Sequence, residues 1–547
     1  MQTISEQLSR QLNRNALALW PDLKDRLPEV QVTRPTEKRH GDYASNLAMQ
    51  LAPILKESPM AIAQTLVNKG FNLASLEEAL VAQPGFINFT LKRSWLAKQP
   101  KKILAEGNKF GSNDLGRNER LHLEFISANP TGPLHLGNGR GGFFGDILGN
   151  VFSFSGYRVH REYYVNDIGK QVEILAESII RRYFQSQSIP MEYPEYCYQG
   201  EYIIELAKKL KLDGVSLNNI DRAKLRIKKQ ALRVMLGEIK TFIRQGLKIK
   251  FDRFFLESEV HEKKMVDRVI KLLQDKKLIY EKDEALWMKT SQFGDDKDRV
   301  LRKKGGEQTY FLSDIAYLYD KFSVRRFPRA IILLGADHHG YVDRMQATMK
   351  ALVWEGRLEI KIFQLVKLIK EGREVRMSKR GGNFVTLEEV VSDVSLDVAR
   401  FFFLMVGMNT HMEFDLDLAK EKSDKNPVYY VQYAHARICS VIRNAQPLVK
   451  KKKVEAKLPL EERSADDLIK KLLEFPEIVC EVSSSFQVHE LPGYSIELAT
   501  AFHNFYTKVR VINQNKVHLA AYELLEATRL VLEQSLKLMG VSAPEKM

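Results

Sequence analysis

The sequence predicts a multidomain α/β protein: a doubly wound central domain with an insertion, a small α+β domain before it and an all-helical domain after it. Three observations lead there. A chain of 547 residues exceeds what a single hydrophobic core serves, so three or four domains are expected. Strand-like "RLHLEFISANP", glycine-rich "LHLGNGRGG" and strand-like "YRVHREYYV" follow one another as strand, loop, helix and strand, the opening of a doubly wound sheet. From about residue 385 onward helical patterns dominate, including "LDVARFFFLMVG" and "NPVYYVQYAHARICSVIRNA".

The first part, residues 1–115, mixes a helix ending near Trp20, helical periodicity at 45–69 and a strand at "GFINFTL". The second, residues 116–400, opens with a strand expected to end at Asn129 and Pro130, then a helix over 138–155 stopped by Gly156. "RAIILLGAD", residues 329–337, resumes the sheet after an insertion at about 190–300. The third part, residues 401–547, is helical apart from a loop composition at Lys450–Lys453 and the "VEAKLPLEER" that follows. No internal repeat is found.

Composition narrows the function classes. Residues are 44% hydrophobic and 28% charged, and no apolar run nears the roughly 20 residues of a membrane helix. The N-terminus is amphipathic and lacks the core of a secretory signal, so a cytoplasmic protein without a membrane partner is expected. Cys197, Cys439 and Cys480 form no Cys-x-x-Cys pair, which argues against a disulfide framework and a thiolate zinc site; no structural metal is predicted.

A net charge of +15 favours a polyanionic partner. It divides into +4 for residues 1–115, +9 for 116–420 and +2 for 421–547. Residues 222–250 hold ten basic residues against one acidic, and Leu232, Leu236, Ile239 and Ile243 recur at helical spacing. That is an amphipathic helix with a basic outer face, which a solvated surface and a phosphate-contacting one both satisfy.

"NPTGPLHLGNGRGG", residues 129–142, carries the chemistry. At the end of a strand in a doubly wound sheet, a helix N-terminus offers free N–H groups and a positive partial charge to an anion. Pro130 and Pro133 stiffen the turn, Gly137 and Gly139 remove Cβ atoms that would keep a base or phosphate away, and His135 is presented as a hydrogen-bond donor. A structural turn with a packing histidine would use the same residues. The second element is "REVRMSKRGGNF", residues 373–384, where Lys379 and Arg380 precede two glycines. A glycine-bounded loop with a lysine can close on phosphates and balance charge as a phosphoryl bond breaks.

Together, "HLGN" and "MSKR" some 240 residues later resemble the paired signatures of class I aminoacyl-tRNA synthetases. Asn138 stands where the common form has a second histidine. "RPTEKRHGDYASNLAM", "EFISANPTGPLHLGNGRG", "YYVNDIG", "FGDDKDRVL", "TYFLSDIAY", "GADHHGYVDRMQA", "NPVYYVQYAHARI" and "LMGVSAPEKM" extend the likeness nearly end to end, and the chain resembles the arginyl-tRNA synthetases. Two exclusions agree. The interval between the signatures leaves little room for an editing domain, and the cysteines do not suit a zinc-bound substrate.

The resemblance implies a Rossmann-like catalytic domain, an N-terminal domain for the tRNA corner and a helical anticodon-binding domain. It implies ATP-dependent ligation of L-arginine to tRNA(Arg) through an arginyl-adenylate, with ATP and Mg2+ as cofactors, in a protein read as a monomer. His135 and Lys379 are the catalytic candidates, and ATP would meet His135, Gly137, Asn138, Met377, Ser378 and Lys379. Arginine needs carboxylates for its guanidinium and polar groups for its amino end; Glu124, Asn129, Tyr310, Asp314 and His338 match the family's positions, with Asp314 for the guanidinium. Asp337, His338 and His339 would sit at the sheet's ligand edge, positioning substrate and not metal. Tyr429, Tyr430, Tyr433, Arg437 and Met547 are the tRNA candidates, by stacking or polar contact. Another class I synthetase, a small-molecule nucleotidyltransferase and an idle tRNA-binding protein are the rivals; the helical C-terminal third speaks against the second, and the presence of both His135 and Lys379 against the third.

Overall fold

The computed structural model describes residues 3–210, 212, 215–216, 219–375, 385–455 and 462–547. The N-terminal domain packs helices Ile4–Leu19, Leu47–Leu55 and Pro59–Asn68 on an antiparallel sheet of Val32–Thr33, Tyr43–Ser45, Phe86–Leu91 and Leu76–Ala82, in that spatial order. Leu8, Leu12 and Ala16 recur every four residues and are fully buried, which fixes the first helix against the sheet. The helical pattern expected over 45–69 is two helices, because Lys56 turns left-handed at φ 58° and Ser58–Pro59 begins a new, capped helix.

The central domain is built on a wholly parallel five-stranded sheet: β1 (Arg120–Glu124), β2 (Arg158–Val165), β3 (Arg253–Leu256), β4 (Arg329–Gly335) and β5 (Leu358–Phe363), in the order β5-β4-β1-β2-β3. Its helices include α1 (Leu136–Phe154), α2 (Lys170–Ser186), α3 (Ile220–Thr241), α4 (Tyr310–Tyr319) and α5 (His339–Ala351). The expected single insertion over 190–300 is interrupted, since β3 returns to the main sheet within it. A separate antiparallel sheet of Ile279–Lys282, Ala285–Met288 and Arg299–Arg302 follows.

Helix α1 lies close to its neighbours because it is rich in glycine. A Cβ on Gly145 would stand 2.2 Å from the Phe125 ring, and one on Gly139 would stand 2.6 Å from Leu387. Gly139 therefore serves helix packing and not ligand approach, contrary to the expectation from the loop's composition. Two buried arginines tie the helix to the rest of the chain. Arg140 donates to the carbonyls of Gln364 (2.9 Å), Gly407 (2.8 Å) and Thr410 (2.8 Å). Arg400 pairs with Asp146 of α1 at 2.7 Å and donates to the carbonyls of Leu247 and Met539.

The C-terminal domain consists of α6 (Pro427–Lys450), α7 (Arg463–Ser485), α8 (Glu490–Lys508) and α9 (Leu519–Met539), with a small hairpin of Ile512–Asn513 and Lys516–Val517. It meets the N-terminal domain along a charged seam: Arg34 pairs with Glu474 and Glu477, Lys38 with Asp467, Arg93 with Asp466, and Lys470 with Asp42. A cavity of about 960 Å³ lies in this seam. None of the active-site candidates lines it.

Candidate active site

Strand order reverses between β4 and β1: from β1 the chain builds outward through β2 and β3, from β4 through β5 on the other side. Loops leaving the carboxyl ends of these two strands diverge, and the crevice between them is where ligands bind in this architecture. A cavity of about 760 Å³ occupies it.

On the β1 side the strand stops at Glu124, five residues before the predicted end. Ile126 and Ser127 take φ of 67° and 44°, a left-handed conformation that is costly for a β-branched residue and turns the chain out of the sheet. Asn129 is thereby delivered to the cavity wall, where its Nδ2 donates to Gln171 Oε1 of α2 at 2.7 Å. His135 then caps α1 with extended dihedrals. Asn138 Oδ1 accepts the His135 backbone N–H at 3.0 Å, so this side chain closes the first turn in the manner of a capping box. Gly137 leaves that turn open: a Cβ there would meet only the His135 ring, at 3.1 Å.

The lysine loop, with Met377, Ser378 and Lys379, falls outside the described residues. Its flanks border the cavity. Val366–Lys370 pairs with Arg373–Val375, and the preceding Gln364 and Leu365 line the wall. On the far side Thr386 bridges to His135, and the Leu387 N–H donates to the Leu134 carbonyl at 2.9 Å.

Opposite the histidine, carboxylates converge. Glu124 at the end of β1 is buried and accepts from the Lys321 ammonium at 2.5 Å. Lys321 is itself fully buried, on a π-helical turn (Asp320–Val324) that prolongs α4, with its Nζ 3.8 Å from the centre of the Tyr317 ring. Burial lowers its pKa, and Glu124 opposes that effect. Asp314 of α4 lines the same wall, bonded to Tyr341; burial pushes its carboxyl up to about 7. Glu257, at the end of β3, is also raised to about 7, by burial and then by the charges of Asp314 and Asp167. One wall thus holds a carboxylate neutralised by lysine beside a cluster whose charge is unmatched.

The layer beneath is braced. Glu162 of β2 accepts from His122 (3.0 Å), Tyr317 (2.6 Å) and Arg325. Burial alone would raise its carboxyl, but these donors with His160 hold it far below the usual range. His122 is driven down to about 3 by burial and the Lys321 charge, so it is neutral at pH 7. His338 follows β4, and Tyr310 is 62% exposed at the mouth; both line the cavity. The side chains of Asp337 and His339 fall outside what is described.

A second cluster lies on the C-terminal helices. Tyr429 stacks on Tyr433, with ring centres 6.4 Å apart and planes 7° off parallel, and Tyr433 stacks on His503 of α8. Tyr430 packs on the same histidine at 5.2 Å. Arg437 donates to the Tyr433 hydroxyl at 2.6 Å and lies over Tyr506. Met547 is exposed, at the end of a tail whose Pro544 and Glu545 carbonyls accept from His435 and Arg443 along a neighbouring face of α6.

The sequence-predicted residues Glu124, Asn129, His135, Gly137, Asn138, Tyr310, Asp314 and His338 share the one cavity. Lys321, Glu257, Gln171 and Tyr341 were not anticipated, nor were His503 and Tyr506 in the stack. In "YDKFSVRRF" Lys321 reads as one more surface charge. The available signal was its position seven residues after Asp314, two helical turns along one face.

The matched family models are the arginyl tRNA synthetase N terminal domain over residues 2–91, the class I (R) tRNA synthetase catalytic domain over 99–405 and the DALR anticodon binding domain over 431–547. The chain belongs to the arginyl-tRNA synthetase family. It is 41% identical to the arginine–tRNA ligase of Shouchella clausii over 555 aligned positions, covering all of both chains, and 42% identical to that of Bacillus subtilis, covering 96% of this chain and 95% of the relative. A crystal structure described as an arginyl tRNA synthetase from Campylobacter jejuni superposes with a TM-score of 0.75 at 34% identity, covering 84% of this chain and all of the other. The Thermus thermophilus arginyl-tRNA synthetase shares the fold over both whole chains, at a TM-score of 0.78 and 20% identity. In this arginyl-tRNA synthetase family member the cavity belongs to the catalytic segment and most of the aromatic stack to the anticodon-binding one. Among the described residues no helix is long and apolar enough to cross a membrane.

Proposed function

We propose that this cavity is where the chain performs its family's reaction, the charging of tRNA with arginine, and that it does so through an arginyl-adenylate. The observation that carries the assignment is the convergence, at one switch point, of an open helix N-terminus capped by His135 with a buried acidic wall containing Asp314 and Glu124.

The guanidinium lies against Asp314, with Glu257 adding negative charge behind it, because two ionised or partly ionised carboxylates there have no other cation of equal reach. Glu124 is held by Lys321 and contributes shape and hydrogen-bond acceptors more than net charge. Asn129, with Gln171, takes the amino end, and Tyr310 and His338 close the mouth. ATP lies on the opposite side, its phosphates toward His135 and the first N–H groups of α1, with the Gly137 backbone exposed to the nucleotide. Met377, Ser378 and Lys379 are proposed to complete that side, a reading supported by the two flanks that border the cavity.

The arginine carboxylate oxygen attacks the α-phosphorus, and the bond to pyrophosphate breaks. The 2′-hydroxyl of the terminal adenosine then attacks the acyl carbon, releasing AMP. No protein nucleophile is needed; His135 and Lys379 stabilise phosphate charge and the walls align the reactants. Carboxylates cluster on the arginine side, so Mg2+ enters as the counter-ion of ATP, neutralising its phosphates. The Tyr429, Tyr430, Tyr433 and Arg437 group receives splayed anticodon bases, with Met547 beside it, and the N-terminal domain takes the tRNA corner. Every group invoked lies in one chain, which a cytoplasmic monomer satisfies.

Pyrophosphate exchange with each amino acid, with and without tRNA, tests this. Exchange with arginine, and aminoacylation of tRNA(Arg), are expected; exchange driven by another amino acid overturns the assignment.

A further inference from the structure

Helix α3 is the main basic feature that the reaction leaves unused. Its buried seam is Ala223, Ile227, Ala231, Met235 and Ile239 at every fourth position, while Leu232 and Leu236, expected in the seam, flank it half-buried. Lys224 and Lys228 turn toward α2, where Lys228 pairs with Glu173 at 2.5 Å and Lys224 lies 3.9 Å from the same carboxylate. What remains outward is a stripe: Arg222, Arg226, Lys229 and Arg233 are all exposed, at spacings of four, three and four residues. They therefore lie on one helical face over about 16 Å. Among the described residues none of the four makes an ion pair, although paired lysines sit on the adjacent face.

Position gives the stripe a meaning beyond solvation. Glu173, which anchors α3, stands in the first turn of α2, two residues after Gln171 of the cavity wall. The stripe thus begins within about two helical turns of the mouth through which the 3′ end of a tRNA must pass.

Resting on the functional reading above, we infer that the outer face of α3 is a docking surface for the phosphate backbone of the tRNA acceptor arm, guiding its 3′ end into the cavity. Four cations in a row without anionic partners match a polyanionic duplex, and phosphate contacts position without reading sequence.

The test replaces Arg222, Arg226, Lys229 and Arg233 with glutamine, which keeps helix propensity. Each lost phosphate contact removes roughly 0.7–0.9 from the slope of log affinity against log salt, so the slope should fall by about 3 and the KM for tRNA rise tenfold or more. KM for arginine and ATP at saturating tRNA should stay within twofold. An acceptor-stem minihelix should bind more weakly to the variant and an anticodon stem–loop equally well. An Arg222→Gln/Arg226→Gln variant gives the same readout at about half the slope change should the fourfold one melt early. Unchanged tRNA KM and salt slope overturn the inference, as does a loss confined to the anticodon fragment. If wild type binds the minihelix but charges no tRNA with arginine, the functional reading fails while the binding measurements still decide the surface.

Discussion

Asp314 offers the sharpest test of the arginine slot. Its carboxyl is raised to about 7 by burial, with the Glu124 charge adding and the Tyr341 bond and Lys321 opposing. A guanidinium brought alongside favours the ionised form, so binding below pH 7 must first expel a proton. For a group titrating near 7, the KM for arginine should rise about tenfold from pH 8 to pH 6, with a smaller change in kcat at saturation. The same raised pKa means that the folded state holds this proton more tightly than the unfolded chain. Its contribution to stability is therefore complete at low pH and lost as pH rises from about 4 to about 7. Asp314→Asn preserves shape but removes the charge. Truncating one partner of a buried ion pair costs about 3–5 kcal/mol, or a rise in KM of roughly 10²–10³-fold or more. Because Glu257 is raised partly by Asp314, the inflection in the variant should also move to lower pH. Arginine-dependent pyrophosphate exchange at saturating ATP and tRNA, followed from pH 6 to pH 8, measures both. A variant with KM within threefold of wild type, or with an unshifted inflection, would refute the slot.

Two further substitutions address the other walls. Lys379→Ala should lower the rate of adenylate formation by a factor of about 100 while leaving arginine affinity nearly unchanged; an unimpaired activation rate removes the lysine from the chemistry. Lys321→Met strands the buried Glu124 carboxylate and should cost about 3–5 kcal/mol in urea unfolding, most of it recovered in the Lys321→Met/Glu124→Gln double variant. Equal instability of the single and double variants would mean that Lys321 does not serve that pair.

Short-range patterns carried much of the architecture. The β1-turn-α1-β2 succession was legible because period-two apolar alternation, a glycine-rich turn and a second alternating run are local properties. The His135 loop was legible for the same reason: a helix N-terminus at a strand's end is chemistry written within fourteen residues. Sequence overran β1 by five residues, since the left-handed Ile126 and Ser127 that end it have no compositional mark. It also assigned Gly139 to ligand approach when Leu387, some 250 positions away, fills the space.

By itself, then, the sequence determined the order of elements, the doubly wound class and the side chains able to handle phosphate and guanidinium. Only the tertiary structure decided which charges face one another. Lys321 and Glu124 are 197 positions apart and meet because a π-turn at the end of α4 points into the carboxyl end of β1; Tyr433 finds His503 because α8 lies along α6. Pairing of buried charges depends on distance and dielectric in three dimensions, and neither is recorded along the chain.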